Sequence, residues 1–162
     1  MPPVMLGIDI GAQGAIALLT SEVDLIEVHD MPCLNDGPAG RRAVNPALLA
    51  EIVAKSHATR AYVEYVGARP GEGAVQGFAF GRSRGVVEGV LGALGVPVGF
   101  LTPPTWKRLV GIPAGKDQKD TARGEAIRRW PGKAALFARK KDDGRAESAL
   151  IAAAGLMKEV KN

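Results

Sequence analysis

Two acidic side chains interrupt apolar, strand-like segments of this 162-residue chain. Asp9 stands in Leu-Gly-Ile-Asp-Ile-Gly, and Glu64 stands in Ala-Tyr-Val-Glu-Tyr-Val. Burying an unpaired carboxylate costs several kcal/mol, so each acid needs a partner inside the fold. A metal ion is a suitable partner, and two such acids on neighbouring strands make a more specific pattern than either acid alone.

A second group of acids opens the last predicted helix, in Asp-Asp-Gly-Arg-Ala-Glu. Asp143 and Glu147 are four residues apart and therefore share one face of a helix. Helix capping and the helix dipole explain one acid here, Asp142 or Asp143, but not Glu147 directly before an apolar run. Helical spacing favours Asp143 over Asp142 as the partner of Glu147.

Carboxylate clusters without His or Cys suit hard divalent ions, Mg²⁺ or Mn²⁺. Two ions about 3.5–4 Å apart can activate the attacking water and stabilise the leaving oxygen in phosphodiester hydrolysis. Cys33 is the only cysteine, which excludes an internal disulfide and a cysteine-rich zinc site. The four acids therefore predict a site for two Mg²⁺ ions.

Apolar segments punctuated by Gly and Pro predict the elements that carry these acids. Three antiparallel strands come first, helices and two further strands alternate after them, and helices end the chain. This order predicts an α/β fold with a five-stranded mixed sheet flanked by helices. The predicted strands cover residues 4–10, 15–20, 23–31, 59–66 and 96–101, the helices cover residues 45–54, 74–95, 103–110, 117–130 and 143–160, and residues 32–44 form a loop.

The helix predicted at 74–95 carries a glycine every fourth residue, namely Gly77, Gly81, Gly85 and Gly89. Each glycine costs a helix about 1 kcal/mol relative to alanine, so the stripe needs a compensating contact. Close packing against the protein's own sheet is the favoured explanation, and a dimer contact is the alternative.

Composition and charge limit the class of protein. The chain is 46% hydrophobic and 23% charged, as in ordinary globular domains, and its length predicts one domain over residues 1–162. No apolar run approaches the roughly 20 residues of a membrane span, and the opening lacks the basic region of a secretory signal. These features predict a cytoplasmic protein.

Positive charge concentrates in the later part of the chain. Residues 1–101 have a net charge of −3, whereas residues 102–162 have a net charge of +7. A basic segment of this kind suits a polyanion such as nucleic acid, although many lysines only solvate a helix face. The candidates for binding phosphates in this segment are Lys107, Lys116, Lys119 and Arg123.

Five segments in order resemble the phage branch of the RuvC Holliday junction resolvases. They are GIDIGAQGAIA, the strand of Glu64, FGRSRGVVEGV, LTPPTWKRLVG and KKDDGRAESALIAAAG. The resemblance implies an RNase H-like fold, a homodimer, and a Mg²⁺-dependent endonuclease that nicks opposed strands of four-way DNA junctions. It also implies that Asp9, Glu64, Asp143 and Glu147 are catalytic metal ligands.

One position departs from the pattern of this family. Bacterial members carry two aspartates three residues apart on the last helix, whereas Gly144 lies three residues before Glu147 here. The departure leaves Asp142 as a possible metal ligand beside Asp143.

Side chains after the Glu64 strand are candidates for contacts with DNA. Tyr65, Arg69 and Phe78 flank this connection, and exposed aromatic rings can stack on unpaired bases. Aromatic residues at such spacings are more often part of the core. Trp106 and Trp130 lie within apolar helical patterns and are predicted to pack.

Other functions fit parts of the sequence. YqgF-like nucleases that act on RNA share the opening Asp strand and the size. Sugar kinases of the actin-like class share the Asp-x-Gly motif but need two such domains and a much longer chain. A non-catalytic DNA-binding module would leave the buried acids unexplained, and Gly7, Gly11 and Gly14 do not match a dinucleotide-binding motif.

Overall fold

The computed structural model describes residues 2–113 and 118–161, without the side chains of Gln118 and Lys119. The described residues form a central sheet, a small hairpin and helices on both faces of the sheet. The strands are β1 (Val4–Asp9), β2 (Ala15–Thr20), β3 (Leu25–Asp30), β4 (Cys33–Asn35), β5 (Arg42–Val44), β6 (Arg60–Glu64) and β7 (Val98–Leu101). The α-helices are α1 (Pro46–Ser56), α2 (Ala74–Ala93), α3 (Pro103–Leu109), α4 (Gln118–Arg129) and α5 (Asp143–Val160), and two 3₁₀ helices cover Pro131–Phe137 and Lys140–Asp142.

The central sheet has five strands in the order β3-β2-β1-β6-β7. The first three strands pair antiparallel, and β1, β6 and β7 are parallel. The predicted mixed sheet is therefore confirmed, with strands a few residues shorter than the apolar segments. Because Ile8 pairs with Val63, the strands bring Asp9 and Glu64 to neighbouring positions at the same edge.

Helix α5 crosses one face of the sheet and carries the second group of acids. Its buried residues include Leu150 and Ile151, which pack with Trp106 and Phe137 from the elements that precede it. A Cβ atom at Gly7 would lie 2.0 Å from the carbonyl oxygen of Ser148, so glycine in β1 allows this close approach. Helices α1 and α2 cover the opposite face, where Leu49 and Val87 are fully buried.

The segment 32–44 is not the open loop that its Pro and Gly content predicts. Strands β4 and β5 pair antiparallel from Cys33–Val44 to Asn35–Arg42. Ala43 and Val44 are buried, and Val44 joins the core below α1 and α2. Two adjacent apolar residues after a Pro- and Gly-containing segment were too short a signal to predict a strand.

The predicted packing of the glycine stripe against the sheet is wrong. Helix α2 buries Ser83, Val87 and Leu91, whereas Gly81, Gly85 and Gly89 are exposed on another face. An added Cβ atom at any of these three glycines would meet no atom within 4 Å. Four-residue spacing places the glycines on one face but does not say which face the sheet covers.

None of the helices among the described residues combines the length and the hydropathy needed to cross a membrane.

Candidate metal centre

Three carboxylates from three separate elements converge at the edge of the sheet. They are Asp9 at the end of β1, Glu64 at the end of β6 and Glu147 in the second turn of α5, and we call them the acid cluster. One oxygen from each lies within 4.8 Å of the others, and all three side chains are partly buried. The structure thus brings together acids separated by more than 50 residues in the chain.

Asp9 lies at the most negative point of this group. The pKa of Asp9 is raised well above its ordinary value of 3.8, first by burial and then by the negative charges of Glu147, Glu64 and Asp143. A hydrogen bond with Glu147 raises the pKa of Asp9 further. Like charges at this separation favour a shared proton or a bound cation.

Glu64 has both a hydrogen-bond donor and positive charge beside it. The indole Nε1 of Trp106 donates to Oε2 of Glu64 at 2.8 Å. Burial raises the pKa of Glu64, while the Trp106 hydrogen bond and the charges of Lys107 and Arg69 act in the lowering direction. Trp106 is fully buried, as its predicted packing role requires, and it also orients a carboxylate.

The two aspartates at the start of α5 have different surroundings. Asp143 acts on Asp9 through its negative charge. Asp142 is only 2% exposed and accepts hydrogen bonds from the backbone nitrogen and the guanidinium of Arg139. Burial opposes ionisation of Asp142, but the Arg139 contacts outweigh it and lower the pKa of Asp142. Of the two, Asp143 is the one whose charge acts on Asp9, although the group of three converging carboxylates does not include it.

The packing around Gly144 explains why this chain has a glycine, and not the aspartate of bacterial members, three residues before Glu147. A Cβ atom at Gly144 would lie 2.5 Å from the carbonyl oxygen of Gln13 and 3.4 Å from Oδ2 of Asp9. No side chain fits at this position without moving the turn after β1. The close contact holds the start of α5 against that turn, which directly follows Asp9.

The predicted phosphate-binding residues are distributed unevenly around the acids. Lys107 and Arg69 are near enough to Glu64 to act on its pKa. Arg123 hydrogen bonds to the carbonyl oxygens of Phe137 and Ala138 and pairs with Asp120, so it ties α4 to the following 3₁₀ helix. Lys116 and the side chain of Lys119 lie outside the described residues.

The two aromatic residues proposed for base stacking are not core residues. Tyr65 is 44% exposed and Phe78 is 75% exposed. The guanidinium carbon of Arg84 lies 4.5 Å from the centroid of the Tyr65 ring, and the Phe100 ring meets Tyr65 edge-on. Tyr65 is therefore held in place next to Glu64 while one side of it faces solvent.

Sequence reasoning missed the contact between Trp106 and Glu64. A buried indole N–H needs an acceptor, and a carboxylate on the adjacent strand is a suitable one. The signal was the position of Trp106 directly before Lys107, the lysine already assigned to the site.

The donor set fits a hard divalent cation. Asp9, Glu64 and Glu147 present only carboxylate oxygens, and the charges that act most strongly on Asp9 are negative. Mg²⁺ and Mn²⁺ prefer this donor chemistry, and either cation would relieve the repulsion that raises the pKa of Asp9.

The chain resembles known junction-resolving proteins in both sequence and fold. It is 34% identical over 120 residues to the chloroplastic Holliday junction resolvase MOC1 of Chlamydomonas reinhardtii, a match that covers 71% of this chain and 14% of that protein. The chain thus spans about one seventh of the length of this relative. No protein-family model matches the chain.

Two solved structures of RuvC from Thermus thermophilus share the fold. The structure in complex with a Holliday junction substrate gives a TM-score of 0.70 at 18% identity, covering 99% of this chain and 96% of that one. The second gives a TM-score of 0.58 at 18% identity, covering 98% and 96%. The chain therefore has the RNase H-like fold of RuvC and shares sequence with a Holliday junction resolvase, which confirms the resemblance that its motifs indicated.

Proposed function

We propose that this protein is a Mg²⁺-dependent endonuclease that resolves four-way DNA junctions by paired hydrolysis of phosphodiester bonds. The observation that carries the proposal is the convergence of Asp9, Glu64 and Glu147 at the edge of a RuvC-like sheet. The relative in Chlamydomonas reinhardtii is itself a Holliday junction resolvase. Residues 1–162 would act as one nuclease domain.

The acids come from two parts of the fold. Asp9 and Glu64 are held by paired strands, and Trp106 fixes one oxygen of Glu64. Glu147 and Asp143 come from α5, whose start is held against the turn after β1 by Gly144. These four carboxylates would hold one or two Mg²⁺ ions, and Mn²⁺ is a chemically similar substitute.

The chemistry that bound Mg²⁺ supplies is polarisation of a phosphate and of the attacking water. The chain's own contribution is to position the reacting phosphate and to balance charge. Lys107 is near Glu64 and would bind a phosphate oxygen beside the acids. Arg69 follows in the connection after β6 and would hold a flanking phosphate.

A homodimer is part of this proposal, because two opposed strands of a junction need two active sites. The exposed glycine face of α2, formed by Gly81, Gly85 and Gly89, would allow close approach of a second copy. Val75 and Phe78 add exposed apolar surface near the start of the same helix. Sedimentation of the protein and of Gly85→Glu tests this point, since a charge in the glycine face should give a monomer.

The primary test is cleavage of a labelled four-way junction beside a linear duplex and a matched RNA–DNA hybrid. The reactions contain Mg²⁺ or EDTA and use the wild type, Asp9→Asn, and Glu22→Gln as a control for loss of one acid. Glu22 is exposed in the turn between β2 and β3, at the opposite end of the strands from Asp9. Symmetric nicks in the junction alone, dependent on Mg²⁺ and absent only in Asp9→Asn, support the proposal.

Two other outcomes would replace it. Preference for the hybrid would favour an RNA-directed nuclease of the YqgF-like kind. Tight binding of the junction without any cut in Mg²⁺ or Mn²⁺ would favour a DNA-binding module in which the acids have no catalytic role.

A further inference from the structure

A wide groove opens beside the acid cluster on the α2 side of the sheet. Its volume is about 1090 Å³, at the upper end of the range of ligand pockets, and it is open to solvent, as a site for an extended polymer must be. At one end it is lined by the turn after β1 and by the connection after β6, which begin one or two residues from Asp9 and Glu64. The other end lies between the β4–β5 hairpin and the first half of α2.

Four arginines line this groove, which we call the arginine groove. They are Arg41, Arg42, Arg69 and Arg82, and the acidic residues of the lining are Asp36 and Glu72. Both acids are engaged, since Asp36 pairs with Arg82 at 2.7 Å and Glu72 accepts a hydrogen bond from the backbone nitrogen of Arg69. The net charge of the lining is therefore positive.

Arg41 and Arg42 differ from most arginines of the basic C-terminal segment. Five of the six arginines in residues 102–162 form salt bridges; these are Arg123, Arg128, Arg129, Arg139 and Arg145. Arg41 and Arg42 are exposed, and within residues 2–113 and 118–161 neither side chain forms a salt bridge or a hydrogen bond. Their guanidinium groups are available to an anion.

The hairpin presents these two arginines from a fixed position. The backbone nitrogen of Asp36 donates to the carbonyl oxygen of Arg41 at 2.8 Å and closes the hairpin. The ion pair between Arg82 and Asp36 ties the hairpin to α2, and Val44 is anchored in the core. The backbone of the two arginines is therefore fixed, and a ligand would need to order only their side chains.

We propose that the arginine groove binds the phosphodiester backbone of a DNA strand that continues past the acid cluster, with Arg41 and Arg42 as phosphate ligands. The proposal rests on the proposed function, because the groove begins at the acids that would cut the strand. Guanidinium groups bind phosphate oxygens in a bidentate manner, and backbone contacts fix the position of a nucleic acid without reading its sequence. The groove therefore contributes affinity and register, and sequence preference arises elsewhere.

The test compares Arg41→Gln/Arg42→Gln with a control of equal charge change, Lys55→Gln/Lys158→Gln. Lys55 lies in the last turn of α1 before β6, and Lys158 lies in the last turn of α5, so both are at the end of the fold opposite the acids. Binding of the four-way junction, a linear duplex and a single strand is measured in EDTA from 50 to 300 mM salt. Thermal unfolding of each variant verifies that it is folded.

Loss of phosphate contacts changes both the affinity and its dependence on salt. For duplex DNA we expect the slope of log K against log salt to fall by about 0.9 for each lost contact, and by about 0.7 for a single strand. The same relation predicts roughly eightfold weaker binding at 0.1 M salt for each contact. Arg41→Lys/Arg42→Lys, which keeps the charges, should recover most of the slope.

The slope also identifies which form of the strand lies in the groove. A loss near 1.8 with junction and duplex indicates a duplex arm, and a loss near 1.4 with the single strand indicates an unpaired strand. Wild-type affinity and slope in the Arg41/Arg42 variant, or equal losses in the control, would overturn the inference.

Failure of the groove and failure of the proposed function give different results. If the wild type binds the junction but never cuts it, the nuclease proposal fails and the binding series still tests the groove. If the wild type cuts the junction while the Arg41/Arg42 variant binds like it, only the groove inference fails. If the wild type binds none of the three DNAs, both fail.

Discussion

The acid cluster and an ion-pair network lie side by side at one end of the sheet, yet their carboxylates have neighbours of opposite charge. The ion-pair network consists of Asp30, Asp142, Arg139 and Arg145. Asp9 pairs with Ala15 across β1 and β2, and Ala15 pairs with Asp30 across β2 and β3, so the two groups share one edge. Every acid of the network has an arginine partner, whereas the neighbours of Asp9 are acids.

The pKa directions express this difference. Hydrogen bonding from Arg145 lowers the pKa of Asp30, and contacts with Arg139 lower the pKa of Asp142. Burial and like charges raise the pKa of Asp9, and burial raises the pKa of Glu64. Salt bridges in the network stabilise the ionised form of its acids and hence the fold. In the acid cluster the ionised carboxylates repel one another, and a bound cation would stabilise them.

The sharpest comparison is between the adjacent residues Asp142 and Asp143. Asp143→Asn removes a negative charge that acts on Asp9, and we expect junction cleavage to fall on the order of 10²- to 10³-fold with little loss of stability. Asp142→Asn breaks the contacts with Arg139, and we expect about 1–3 kcal/mol of destabilisation with cleavage at 25 °C within tenfold of the wild type. Calorimetry and single-turnover cleavage of both variants measure the two effects, and the reverse assignment would make Asp142 the ligand.

Gly144 lies between the two regions. It separates Asp143 from Arg145 along the chain, and it contacts the turn that directly follows Asp9. Gly144→Ala would push a methyl group against the carbonyl oxygen of Gln13 and displace the start of α5. A shift of about 1 Å in the acids should lower cleavage about 10²-fold. Gly124→Ala in α4 is the control, because nothing lies within 4 Å of its added Cβ atom. Equal cleavage by the two variants would show that this contact does not set the geometry of the acids.

Trp106→Phe tests how much the acid cluster depends on the neutral donor beside Glu64. The change keeps a buried ring but removes the hydrogen bond to Glu64, which we expect to weaken cleavage about tenfold. Because that bond acts to lower the pKa of Glu64, the rising limb of the pH–rate profile should move to higher pH. Trp130→Phe is the matched control, since its indole donates to the backbone of Val23. An identical profile for both variants would contradict the orienting role.

The smallest expected effect is on stability as a function of pH without metal. The raised pKa of Asp9 implies a stabilising contribution that is complete below its ordinary value of 3.8 and is lost as the pH rises through the raised value. The lowered pKa of Asp142 implies a contribution that is present above 3.8 and is lost as the pH falls through the lowered value.

Asp9→Asn in EDTA should therefore melt above the wild type at pH 8 and close to it at pH 4. The difference should be about 2–4 °C for each kcal/mol recovered, and Mg²⁺ should reverse it by stabilising the wild type alone. The destabilisation of Asp142→Asn relative to the wild type should become smaller as the pH falls. A difference in melting temperature between the wild type and Asp9→Asn that does not change with pH would show that repulsion within the acid cluster does not destabilise the fold.

The fold and the core of the candidate site were predictable because they depend on local patterns. Short apolar runs bounded by Gly and Pro indicated the five strands, and an acid within such a run indicated Asp9 and Glu64. Four-residue spacing predicted that Asp143 and Glu147 share a face of α5. The β4–β5 hairpin was not predictable, since its strands are only three residues long and their pairing depends on contacts with the core.

The sequence by itself determined which residues share a strand or a helix face, because these relations span only a few residues. The tertiary structure alone decided which face meets which partner. It exposed the glycine face of α2, paired Arg145 with Asp30 across 115 residues, and placed Arg41 and Arg42 in the groove that begins near the acids. Net charge along the chain pointed to the C-terminal segment, but five of its six arginines are paired, because salt bridges depend on distances in space that a sum over sequence does not contain.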